Sequence, residues 1–236
     1  QRVYDQTTGA VEELGRYLGL KKAPYRMECF DISHMQGSET VASMVVFEGG
    51  VAKKSDYRRF KIRSAEGKPD DFKSMREVTT RRYGAPDAEM PDLIVIDGGK
   101  GQLSSALEII RGAGHLLVPV VGLAKREEEV FREGESEPVI LPRDSQALFL
   151  IQRIRDEAHR FAITYHRRLR GKRNMVSVLD HIEGIGPKRR QLLYEHYGEL
   201  EKIKEASVEE MADLDGMNRP AAEAVYNFFL AQRNLR

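Results

Sequence analysis

PDLIVIDGGKGQLSSAL, residues 91–107, is the stretch on which the fold turns. Leu93-Ile94-Val95-Ile96 is a continuous apolar run, the pattern of a parallel strand buried on both faces. It ends on Asp97, then Gly98-Gly99-Lys100-Gly101, then an apolar-periodic helix over 102–112. A carboxylate at the carboxyl end of such a strand stands where open α/β sheets present ligand-binding groups. A phosphate-cradling loop, a metal-binding acid and a plain turn all begin this way. The phosphate loop requires Lys followed by Ser or Thr, so that a hydroxyl reaches magnesium. Here Gly101 and Gln102 follow Lys100, and the glycines lie too close together for a dinucleotide fingerprint. Partners for Asp97 must come from elsewhere in the chain.

Outward from this strand, the pattern predicts a helix over 5–18, with Val11, Leu14, Tyr17 and Leu18 on one stripe. Strands follow at 26–34, 41–48 and 51–62, with Gly49-Gly50 as the hairpin turn between the last two. The third strand alternates polar and apolar, which suits a sheet edge. A helix is expected at 70–83, a second buried strand at 118–124, and a hairpin or surface loop over the acidic stretch 125–138. Asp144 or Ser145 can cap a long helix over 145–168, with Pro142 just outside. Ala147, Ile151, Ile154, Ala158, Phe161 and Tyr165 keep its 3.6-residue period. This element order is that of an RNase H-like fold, an α/β mixed sheet flanked by helices. Around 169–175 the chain turns basic, and 176–236 reads as helices alone. Two domains are expected, 1–170 RNase H-like and 171–236 a small all-α unit.

With 236 residues and 41% apolar side chains, the chain can bury a sizeable core. No run of about 18 apolar residues exists, so no membrane span is expected. The sequence opens on Gln1 within a helical pattern, as a piece of a longer protein would. The single cysteine, Cys29, excludes an internal disulfide and a cysteine zinc site; it reads as a small core residue and fits a reducing cytoplasm. Net charge is only +1, yet residues 51–63 carry six basic side chains against one acid, and 167–173 carry five with none. Acids gather in 127–137 and 199–215. Local basic stripes on a nearly neutral chain are the footprint of phosphate contact, although a solvated basic face has the same composition.

The first and fourth strands of an RNase H-like sheet are neighbours, so Asp31 and Asp97 should converge. His159 stands on the closing helix, off its apolar stripe, between Arg155 and Arg160. Two carboxylates and an imidazole suit one or two hard cations, magnesium or manganese, which would activate water at a phosphodiester. Each residue also has a plainer role: Asp31 as a strand-end turn acid, His159 as a helix-surface histidine. His34 alternates into another environment, and Glu77, a further ligand candidate on the middle helix, is equally explained by an ion-pair ladder with Lys73 and Arg81. Lys100 and Arg155 are expected to meet the DNA backbone beside the acids.

The last sixty residues carry a sharper motif. Ile182-Glu183-Gly184-Ile185-Gly186-Pro187-Lys188, between two helical patterns, resembles a helix-hairpin-helix. Gly184 and Gly186 would let backbone N–H groups approach a DNA phosphate at a helix N-terminus, with Lys188 and Arg189 adding charge. Leu214-Asp215-Gly216-Met217-Asn218-Arg219-Pro220 echoes it, with Asn218 in place of the last glycine, expected to tolerate a left-handed backbone. Phosphate contact is expected more of the first hairpin than of the second, Gly216 included.

ECFDISHMQG, IVIDGGKGQL, LPRDSQALFLIQRIRDEAHRFA and HIEGIGPKRRQLL stand in this order. From about residue 20 to 236 the chain closely resembles the C-terminal half of UvrC, the incision subunit of bacterial nucleotide excision repair. The resemblance implies an RNase H-like endonuclease domain followed by a tandem helix-hairpin-helix domain. It implies a cut 5′ to a lesion in double-stranded DNA, with Asp31, Asp97 and His159 as catalytic and metal-binding triad. UvrB bound to lesion- or bubble-containing DNA is the implied partner, though the nuclease domain for the 3′ cut and the segment docking on UvrB are not within this sequence. The alternative function is a non-catalytic DNA-binding platform on the same sheet.

Overall fold

The computed structural model describes residues 1–35, 39–64, 70–126 and 128–234. Its sheet is built outward from β1 (Arg26–His34), which pairs antiparallel with β2 (Thr40–Glu48) from Arg26↔Glu48 to His34↔Thr40. On its other edge β1 runs parallel to β5 (Leu93–Asp97), in a register that ends on Asp31↔Asp97. β5 is in turn parallel to β6 (Val120–Leu123). β7 (Glu129–Arg132) and β8 (Val139–Ile140) continue the sheet antiparallel, while β3 (Val51–Ala52) and β4 (Arg58–Lys61) both pair with β2. The order is β3-β2-β1-β5-β6-β7-β8, with β4 on β2. Every residue of β5 is buried, as a strand covered by helices on both faces must be.

Strand alternation sends the residues of β1 to two different environments. Glu28, Phe30 and His34 face α3 (Asp71–Tyr83), which packs beside α4 (Gly99–Gly112). Glu28 is wholly buried there, its charge compensated by Arg26 and Arg82, each at 3.0 Å, and by the Tyr83 hydroxyl at 2.7 Å. Asp31 faces the other way, toward α5 (Gln146–Leu179). Cys29 is buried in the core, where burial pushes its thiol up.

Four expectations are corrected. Residues 2–17 form α1 (Arg2–Gln6) and α2 (Thr8–Tyr17), broken where the Thr7 hydroxyl donates to the Val3 carbonyl. The strand expected over 51–62 is interrupted by a 3-10 turn, Lys54–Asp56, which brings Asp56 within 2.6 Å of the Arg26 guanidinium. The Gly-rich loop after Asp97 shrinks to Gly98, because α4 starts at Gly99; the Gln102 side chain lies so close over Gly98 that a Cβ there would come within 2.2 Å of it. α5 continues past 168 and through Gly171, since Met175 and Leu179 are buried in a second core. Ser145 caps α5, its hydroxyl accepting from the Leu148 N–H. The acidic stretch is a hairpin, β7–β8, with residue 127 outside the described residues.

The chain divides into Gln1–Ile163 and Thr164–Arg236. The second unit comprises the end of α5 with α6 (Pro187–Tyr197), α7 (Leu200–Glu205), α8 (Val208–Ala212) and α9 (Arg219–Arg233). Its own core includes Leu179, Ile185, Leu193, Ile203, Met211, Val225 and Phe229. Among the described residues, no helix is long and apolar enough to cross a membrane.

Candidate metal centre and nucleic-acid interface

Parallel pairing places Asp31, within β1, beside Asp97 at the carboxyl end of β5, 7% and 9% exposed. Arg155 and His159, four residues apart, lie on the face of α5 above them. His159 Nδ1 is 2.8 Å from Asp31 Oδ2, and its Nε2 is 3.7 Å from Asp97 Oδ2. One potential ligand atom from each of Asp31, Asp97 and His159 lies within 4.8 Å of the other two. Among the described residues this is the one group of its kind. The His159 side chain is 54% exposed, so the centre opens to solvent on the α5 side.

The electrostatics fit a cation. Burial, and then the neighbouring Asp97, push the Asp31 carboxyl up to about 6; His159 and Arg155 oppose them. A buried carboxyl beside a second acid is costly to ionise, and a positive ion bound next to it offsets that cost. Two oxygen donors with one imidazole are a donor set for magnesium or manganese. Arg155 donates to Asp97 Oδ1 at 3.0 Å. Its guanidinium, expected on DNA, is thus engaged with the acid; the spacing 155/159 was the signal that both would share one face.

The other candidates have partners outside this group. Lys100 Nζ donates to the Ser136 carbonyl at 2.5 Å and sits over the Phe131 ring. His34, on the opposite face of β1, contacts Thr40 and Asp71. Glu77 accepts the backbone N–H groups of Arg63 and Ser64, which with Arg81 outweigh its burial and hold its carboxyl below the usual range.

In the second unit, Gly184 (φ 83°) and Gly216 (φ 96°) take left-handed backbone at matching places in the two hairpins, where an L side chain would be strained. The hairpins then diverge. Gly186 caps α6 without a side-chain hydrogen bond to the amides of the first turn. Asn218 is extended (φ −144°) rather than left-handed as expected, and its side chain accepts from the Ala221 N–H at the start of α9. Arg219 is paired with Glu223 and Glu209. Of the basic trio after Gly186, Lys188 is exposed and Arg190 is paired with Asp180. Arg189 donates to the carbonyls of Gly184 (2.8 Å) and Gly216 (3.4 Å), tying one hairpin to the other.

Residues 15–163 match the model of the UvrC RNase H endonuclease domain, and 176–229 match that of a SAM-like helix-hairpin-helix tandem. The "UvrABC system protein C" of Symbiobacterium thermophilum is 48% identical, over 93% of this chain and 39% of that protein. The protein of the same name from Salinibacter ruber is 49% identical over 93% of this chain and 35% of its own length. The chain therefore spans less than half the length of the curated relatives it matches. A family model covering most of the first unit, with a helix-hairpin-helix tandem behind it, settles the kinship: the chain belongs to the UvrC family, as its RNase H-type endonuclease domain joined to its helix-hairpin-helix domain.

Proposed function

We propose that this chain makes the 5′ incision beside a lesion in nucleotide excision repair, as a divalent-metal-dependent DNA endonuclease. The observation that carries the reading is the in-register pair Asp31 and Asp97 with His159 within ligand distance. Asp31, Asp97 and His159 would hold magnesium or manganese, which supplies Lewis acidity at the phosphodiester and lowers the pKa of bound water. Arg155 fixes the rotamer of Asp97 through Oδ1, leaving Oδ2 on the His159 side. His159 is held by Asp31 through Nδ1, which fixes the orientation of the imidazole.

The second unit serves as the DNA anchor, with the amides at the start of α6 and Lys188 receiving a backbone phosphate. The substrate is double-stranded DNA carrying a lesion or bubble, presented by UvrB to the full protein in the cytoplasm. In a reconstituted repair reaction with the longer protein, Asp31→Ala and Asp97→Ala should abolish the 5′ cut and leave DNA binding intact. An undiminished 5′ cut would contradict the assignment and favour a DNA-binding platform.

A further inference from the structure

Resting on that nuclease reading, we propose that β4 is a track for the DNA backbone, with Arg59 and Lys61 holding phosphates of the cut strand beside the metal centre. Strand register places Arg59 in line with the two acids. Asp97 pairs with Asp31, Asp31 with Ser43, and Ser43 with Arg59, so the four residues form one row across β5, β1, β2 and β4. Cross-strand neighbours in a row share a face of the sheet. Arg59 therefore stands on the face of the two acids, two interstrand spacings or roughly 10 Å from Asp31. Lys61, two residues on, points the same way, about 6.6 Å further along the strand.

The basic run 51–63 carries six cations, and the structure sorts them. Lys53 is paired with Glu48 and Asp56. Arg58 alternates to the opposite face and donates to the carbonyls of Ser55 and Tyr57. Lys54 lies in the 3-10 turn and Arg63 lies beyond β4, both outside the ladder with β2. Arg59 and Lys61 are the basic residues of β4 on the face of the acids, and both are exposed.

Arg59 is also pre-set. Its guanidinium lies 3.7 Å over the ring of Phe161, which packs edge-on against the buried Tyr57. Phe161 is two residues past His159 on α5, so one helix carries both the candidate metal ligand and the seat of this arginine. Stacking engages the flat face of a guanidinium and fixes its plane, while phosphate is bound by its in-plane N–H fork. β4 is an edge of the sheet, and its exposed side chains meet solvent where a polyanionic strand can lie along them.

The test separates this proposal from the nuclease reading because it needs no cutting. In an Asp97→Ala background, binding of a fluorescent bubble duplex to the full chain is followed over a salt series. Arg59→Gln and Lys61→Gln should each weaken binding several-fold and lower the slope of log K against log salt by about one, the signature of one lost phosphate contact. Arg59→Lys should keep most of the slope, since the charge remains. Unchanged slopes in both glutamine variants would overturn the track. So would an Arg59→Lys variant that loses as much slope as Arg59→Gln, because the arginine would then act only through its seat on Phe161. Should Asp97→Ala still incise while the slopes fall as stated, the nuclease assignment fails and the track stands.

Discussion

Replacing Asp31 with Asn should stabilise the metal-free protein at neutral pH, and metal should reverse the order. Asp31 is 7% exposed, and burial followed by the Asp97 charge raises its carboxyl from 3.8 to about 6. A group whose folded pKa exceeds its unfolded one takes up a proton on folding, so stability falls as pH climbs from 3.8 through about 6. At 1.36 kcal/mol per unit, the gap costs the ionised fold at most about 3 kcal/mol above that window. Asparagine keeps the shape without the charge. In EDTA at pH 7.5, Asp31→Asn should therefore melt several degrees higher, at roughly 2–4 °C per kcal/mol for a domain of this size. Below pH 4 the difference should close. Manganese at a hundred times its dissociation constant should then add about 2.7 kcal/mol to the wild type and little to the variant. Differential scanning fluorimetry across pH, with and without manganese, reads all of this. A variant that melts below the wild type in EDTA at pH 7.5, yet matches it below pH 4, would refute the reasoning: the bond to His159 would outweigh burial.

Four further outcomes are expected. Tyr83→Phe removes one donor from the wholly buried Glu28 carboxylate and should cost about 1–3 kcal/mol in urea unfolding. Ser43→Ala removes a buried hydroxyl that has no hydrogen-bond partner among the described residues and should be neutral or stabilise by about 1 kcal/mol, by the same measurement. In the second unit, Lys188→Gln should lower the salt slope of DNA binding by about one. Arg189→Gln should instead leave the slope and lower the unit's melting temperature, because Arg189 braces the Gly184 and Gly216 carbonyls.

The sequence was most legible where burial leaves few choices. Leu93–Ile96 can only be a covered strand, and once the element order was in place, Asp31 and Asp97 had to meet at its end. What stayed hidden depended on side chains reaching across the chain. Arg26 draws in Glu48 and Asp56 from distant segments, and that pull breaks the third strand into β3 and β4. The basic stretch from 169 suggested that α5 had ended, but burial of Met175 and Leu179 carries the helix through it. Arginine was the hardest residue to place. Arg155 and Arg189 carry the composition of DNA contacts, whereas the structure engages one with Asp97 and the other with two carbonyls. Composition raises the expectation of phosphate contact; geometry shows what each of these two arginines already holds.

The most direct test is anomalous diffraction from crystals of this chain grown in manganese. A peak is expected between Asp31 and Asp97, within coordination distance of both carboxylates, about 2.0–2.4 Å, and of His159. That peak should vanish in Asp97→Ala. No peak there at saturating manganese, or one that persists in the variant, would contradict the claim that these residues form the metal centre.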